Sequence, residues 1–221
     1  MSKIYIFLIV LLSFSCTGKE QKKQLEVVEK ETLSKLEQLM LLPRDSVMVY
    51  YDLSNDSITD FPDLSDYTIK SLDLSHNLLD TVIVNYFPKE MVSLDLSNNL
   101  LNGFLWLKID DDERLDWKKL YNETTLRGIN LSHNNLSKIL ITFPLRKIVV
   151  SYNDMTYVEF NHGNIEYLDI SNNPNLSNVI QFDPYVIDTI IRDNIANNKE
   201  LVPSNWDSGH IDYVVIENSI K

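Results

Sequence analysis

Apolar residues recur along this chain in one spelling. Leu72-Asp73-Leu74-Ser75-His76-Asn77 returns as Leu94-Asp95-Leu96-Ser97-Asn98-Asn99, as Ile129-Asn130-Leu131-Ser132-His133-Asn134, and as Leu168-Asp169-Ile170-Ser171-Asn172-Asn173. An apolar residue stands three positions ahead of each copy (Ile69, Met91, Leu126, Ile165), and another follows each Asn (Leu79, Leu101, Leu136, Leu176). Looser copies run from Met48 to Ile58, with Asp56 in place of Asn, and from Leu145 to Met155 through Asn153. A degenerate seventh centres on Ile191 and Asn194. Apolar-x-apolar predicts a short strand whose alternate side chains point inward. The sharp turn that follows leaves backbone groups without ladder partners. A buried Asn amide, which both donates and accepts, can satisfy them. A single unit cannot bury its apolar face, so the units must stack and share a core.

The spelling L-x-x-L-x-L-x-x-N-x-L resembles the leucine-rich repeat family. That resemblance implies an α/β horseshoe solenoid with a concave parallel β-sheet. About seven repeats are expected over 46–200, their Asp or Asn marks spaced by 21, 22, 35, 19, 20 and 21 residues. The short spacings predict a convex side of turns and short helical pieces, with Phe61-Pro62, Phe87-Pro88 and Phe143-Pro144 in its outer wall. The wide spacing marks an insertion at 102–125, the least repeat-like stretch and the first place to look for specificity. Leu25, Val28, Leu36, Leu39 and Met40 approximate helical spacing until Pro43, so 24–42 reads as a helix covering the first open strand. Residues 16–45 then form a tether and N-terminal cap. The run Ile211 to Ile216 in 201–221 reads as a strand closing the other edge, with Trp206 beneath it.

Residues 1–15 stand apart from this pattern. Lys3, the apolar run Ile4 to Leu12 and Ser13-Phe14-Ser15 read as a secretory signal, too short to span a bilayer. Cys16, the sole cysteine, sits where the bacterial lipobox places its lipidated residue. The resemblance is to a bacterial lipoprotein, held by lipid at the outer membrane of the cell envelope. Four Asp-Ser/Thr-aliphatic triplets, at Asp45, Asp56, Asp80 and Asp188, resemble O-glycan acceptor sites of exported Bacteroidetes proteins.

The net charge of −12 argues against nucleic acid and against anionic membrane surfaces as partners. No catalytic motif appears, no cofactor is implied, and the chain is read as a monomer. His76 and His133 share a repeat position two strands apart, too far to share a metal directly. Chemistry is expected instead on the outward strand positions, Asp52, Asp73, Asp95, Asn130, Val149 and Asp169. Carboxylates about 4.8 Å apart repel, which predicts a raised pKa for at least one unless a basic partner sits there. Tyr50, Tyr152, Tyr167, Lys147 and Arg192 flank them. A concave face of Tyr50, Asp52, Asp73, Asp95, Asn130, Tyr152, Tyr167 and Asp169 suits a partner protein with a basic surface. The expected function is therefore a non-enzymatic, protein-binding leucine-rich repeat lipoprotein. The alternative is an accessory glycan-binding or adhesion lipoprotein of a nutrient-uptake system.

Overall fold

The computed structural model describes residues 33–108, 125–142, 144–160, 165–181, 187–195 and 214–216. Contacts divide the chain into Met1–Thr32 and Leu33–Lys221, and all described residues belong to the second unit. The signal segment, Cys16, the first part of the expected helix, most of the 102–125 insertion, Phe143 and Trp206 lie outside the described residues.

In chain order the elements are α1 (Lys35–Met40), β1 (Val47–Asp52), β2 (Thr68–Asp73), a 3-10 turn (Val84–Tyr86), β3 (Ser93–Asp95) and β4 (Asn102–Leu107). There follow β5 (Gly128–Asn130), β6 (Asn135–Ile141), β7 (Lys147–Val149), β8 (Tyr157–Phe160), β9 (Ile165–Asp169), β10 (Asn178–Gln181), β11 (Ile187–Ile191) and β12 (Val214–Ile216). They form two parallel sheets. The long sheet has eight strands in the order β1-β2-β3-β5-β7-β9-β11-β12, and the second has four in the order β10-β8-β6-β4.

The register of the long sheet follows the spelling. Tyr51, Leu72, Leu94, Ile129, Ile148, Leu168 and Ile190 lie side by side along its inward face. The leading residues Ile69, Met91, Leu126, Leu145 and Ile165, and the trailing Leu79, Leu101, Leu136, Met155 and Leu176, are buried in the same core. Every aliphatic position of the spelling contributes apolar area that water no longer covers.

The asparagines close each turn. Asn99 Nδ2 donates to Leu74 O, Leu96 O and Ser97 O at 3.0, 3.1 and 3.3 Å, while its Oδ1 accepts from Leu79 N at 3.1 Å. Asn77, Asn134, Asn153 and Asn173 repeat that set, each joining its own turn to the repeat before it. The residue ahead of each Asn takes the left-handed region: His76, Asn98, His133, Tyr152 and Asn172, with φ between 54° and 56°.

The two ends depart from the rule for physical reasons. Asp56 occupies the Asn position of the first described unit, where the neighbour is a helix start rather than another repeat. Its carboxylate accepts from Lys35 N and Leu36 N, both at 2.8 Å. Donors, not carbonyls, face this position, so Asp replaces Asn. At the far end, Asn173 pairs with Ile195, so Asn194 falls in the left-handed slot with φ 54°. The mark assigned to Asn194 is thus one residue early.

Helix is scarce among the described residues. The expected helix over 24–42 appears there only as α1, capped by Ser34, which accepts from Glu37 N while Glu37 reaches back to Ser34 N. Leu39 is fully buried, and its carbonyl accepts from Tyr67 Oη at 3.1 Å. On the side opposite the long sheet, the early units have turns and the 3-10 piece, with Phe61 and Phe87 rings 5.7 Å apart. The later units carry strands β4, β6, β8 and β10 instead of turns. A strand advances about 3.3 Å per residue and a helix 1.5 Å, so few residues cross the same width only when extended. Ile139 and Ile141 on β6 and Val158 and Phe160 on β8 alternate into the core, and Leu136 joins them across a register shift.

Candidate functional site

The outward face of the long sheet carries two aligned rows. The first holds Asp52, Asp73, Asp95, Asn130, Val149, Asp169 and Ile191 on successive strands. The second, two residues earlier, holds Tyr50, Ser71, Ser93, Gly128, Lys147, Tyr167 and Thr189. Seven of the eight expected face residues therefore lie in these rows. Tyr152 does not. It stands three residues beyond β7, in the left-handed turn slot, with its ring stacked on His133 at 4.3 Å and 10°.

Each acidic side chain has a structural duty. Asp52, Asp95 and Asp169 each accept through Oδ1 from the backbone N and the hydroxyl of the Ser two residues on, at 2.6–3.0 Å. Asp73 Oδ1 accepts from Ser75 N at 2.9 Å. Asn130 makes the same bonds to Ser132 with an amide oxygen, so the turn needs the acceptor and not the charge. The second oxygen is the one left for other chemistry. Asp73 Oδ2 accepts from Tyr50 Oη at 3.3 Å, and Asp95 Oδ2 from Asn130 Nδ2 at 3.0 Å.

The expectation of a raised carboxylate is reversed at Asp52, which is held down to about 2. The first cause is a hydrogen bond from Lys35, 2.8 Å from Asp52 Oδ2, with the Ser54 hydroxyl next. The basic partner that relieves this end of the row belongs to the chain itself. Tyr50 and Tyr167 have their phenols pushed up, first by partial burial, then by Asp73 and Asp52 for Tyr50 and by Asp169 for Tyr167.

The rows enclose a shallow depression of about 260 Å³, with Tyr50, Asp73, Asp95, Asn130 and Lys147 around Gly128. Gly128 sits between Ser93 and Lys147 in its row, and its missing side chain lowers the floor there. Ser71 and Ser93 share a 2.7 Å hydrogen bond beside it. Lys147 Nζ lies 5.5 Å from the Tyr167 ring centre, a cation–π distance. Sequence reasoning missed Gly128 and Lys35. Aligning the repeats two residues before the Asp would have found Gly128. No local signal pairs Lys35 with Asp52, because they meet only when α1 docks.

Among the described residues no group of three or more His, Cys, Asp or Glu side chains is placed to hold a metal ion. No described helix is long and apolar enough to cross a membrane. His76 and His133 stand in the turn column with Asn98 between them. Asn102–Leu107, expected within the insertion, is instead paired to β6 as an edge strand of the second sheet.

The family model described as Leucine Rich Repeat matches residues 68–89. No curated protein and no solved structure matches the chain. That matched unit, set within a parallel-stranded solenoid in which its spelling recurs strand after strand, supports a leucine-rich repeat protein.

Proposed function

We propose that the protein is a non-enzymatic binding module that holds a partner protein against the outward face of the long sheet. In the same reading it is tethered to a bacterial cell envelope through lipid on Cys16. The observation that carries the first part is the depression over Gly128, where Asp73, Asp95 and Tyr50 face Lys147 across an open sheet. The protein-interaction role general to the family supports the same use. Asp73, Asp95 and Asp169 lie in one row of a chain with net charge −12, which favours a basic surface on the partner. Tyr50 at one end of the second row and Tyr167 beside Lys147 supply rigid amphipathic contact area. Lys147 adds a single positive point that sets the register of an approaching partner.

The test is retention of proteins from cell-surface extract on the full chain, beside an Asp73→Asn/Asp95→Asn variant. Asn130 shows that an amide keeps the turn, so this variant removes charge without removing the Ser75 and Ser97 bonds. A protein held by the parent and lost from the variant supports the reading; equal retention by both ends it. For the anchor, cells fed an alkyne fatty acid should label the parent and leave Cys16→Ala unlabelled. Equal labelling of both chains would remove the lipid from the account.

A further inference from the structure

A second depression lies where the second sheet begins. The register between β4 and β6 shifts at Gly103/Phe104, and Gly103 takes φ +66°. No atom lies within 4 Å of the place where a Cβ would stand, so the backbone here borders open space. The resulting depression, about 630 Å³, is walled by Leu100, Asn102, His133, Asn135, Ser137 and Asp154.

The wall's chemistry excludes several guests. It contains no Lys or Arg, so an anion would lose its hydration without gaining a counter-charge. It holds one carboxylate, Asp154, whose Oδ1 already accepts from Asn175 Nδ2 at 2.5 Å, so a cation or basic peptide finds little. What remains is neutral: amides and a hydroxyl, each able to donate and accept. Asn99 and Asn134 also border the space, but their amides are spent on the turns.

Beside these polar groups stand apolar surfaces. Leu100 is 54 % exposed at the wall. The His133 ring, itself exposed, is stacked flat on Tyr152, so the two rings form one block at the rim. A guest with hydroxyls that both donate and accept, and with an apolar C–H face, matches this pairing. We propose that the depression binds a neutral carbohydrate, with Asn102, Asn135 and Ser137 hydrogen-bonding its hydroxyls and Leu100 with the His133–Tyr152 block bearing its C–H face. The site shares no residue with the depression over Gly128, so either reading can fail while the other stands.

The experiment is a side-chain amide NMR titration of the full chain with maltotriose, cellotriose, chitotriose and mannotriose, with inorganic phosphate and a lysine-rich peptide as comparators. The expected result is that at least one trisaccharide moves the Asn102 and Asn135 signals. Asn135→Ala/Ser137→Ala should then raise its Kd by about tenfold, the loss of two neutral hydrogen bonds. Asp73→Asn/Asp95→Asn should leave that Kd unchanged. Near-UV circular dichroism of the Asn135→Ala/Ser137→Ala protein checks that it folds, and Tyr152→Ala gives a second route to weaker binding by dismantling the ring block. The proposal is overturned if no trisaccharide moves those amides, if Kd in the folded Asn135→Ala/Ser137→Ala protein equals that of the parent, or if phosphate or the peptide moves the same signals instead.

Discussion

At the scale of single residues, the ladder position shows why one amide is not interchangeable with one carboxylate. Asn99 is 7 % exposed and faces three carbonyls and one N–H. Leu74 O, Leu96 O and Ser97 O each keep a second donor, Asn77 Nδ2, Asn134 Nδ2 and His76 N, so Asn99→Ala orphans Leu79 N alone and should cost about 2 kcal/mol in urea unfolding. Asn99→Asp should cost at least as much, because a carboxylate cannot donate to carbonyls. Asp56 faces two backbone N–H groups, so there Asp56→Asn is the damaging direction. If Asn99→Asp proved as stable as the parent, the donor account of the ladder would be wrong. Asp52 allows a second check by titration. Its carboxyl is lowered from 3.8 to about 2, so its contribution is present above pH 3.8 and fades as pH falls towards 2. Lys35→Met removes the first cause, and the Asp52 titration followed by carbon NMR should move back up towards 3.8. An unmoved midpoint would assign the depression to Ser54 instead.

At the scale of elements, the strands of the long sheet could be read from the sequence because their period of two was written in Leu and Ile at a constant offset from Asn. The second sheet could not, because its strands carry no such offset. Asn102–Leu107 reads Asn-Gly-Phe-Leu-Trp-Leu, which alternation alone does not separate from an inserted loop. Phe104 and Trp106 remain about half exposed on its outer face, so burial gave no guide either. The site divides in the same way. Asp52, Asp73, Asp95 and Asn130 were visible as the x of apolar-x-apolar, whereas Tyr152 was misplaced because its turn slot adjoins the strand in sequence but leaves the sheet in space. Helix α1 has its own test. Ser34 accepts from Glu37 N at 3.1 Å and Glu37 from Ser34 N at 2.8 Å, and Leu39 fills the first end of the core. Ser34→Ala should cost about 1 kcal/mol. Leu39→Ala should cost about 3 kcal/mol, since a fully buried side chain leaves a cavity. A larger loss from Ser34→Ala than from Leu39→Ala in thermal unfolding would mean that capping, not core sealing, holds the helix in place.

At the scale of the solenoid, each strand of the long sheet is bonded only to its immediate neighbours, and β1 is separated from β11 by β2, β3, β5, β7 and β9. The Asn bonds have the same reach, each linking a turn to the adjacent one. Stability in such an architecture is close to a sum of unit and nearest-neighbour terms. Leu39, on α1, and Ile190, on β11, therefore share no partner, and Leu39→Ala and Ile190→Ala should add to within about 0.5 kcal/mol. Amide exchange gives the sharper test, because it reads where stability is lost. Leu39→Ala should lower protection first in β1 and β2 and last in β9 and β11, and Ile190→Ala should do the reverse. That order follows because a repeat that loses its core contact withdraws support only from the strand beside it. Uniform loss of protection across all strands in either variant would mean that the described repeats unfold as one unit, and the nearest-neighbour description would fail for this chain.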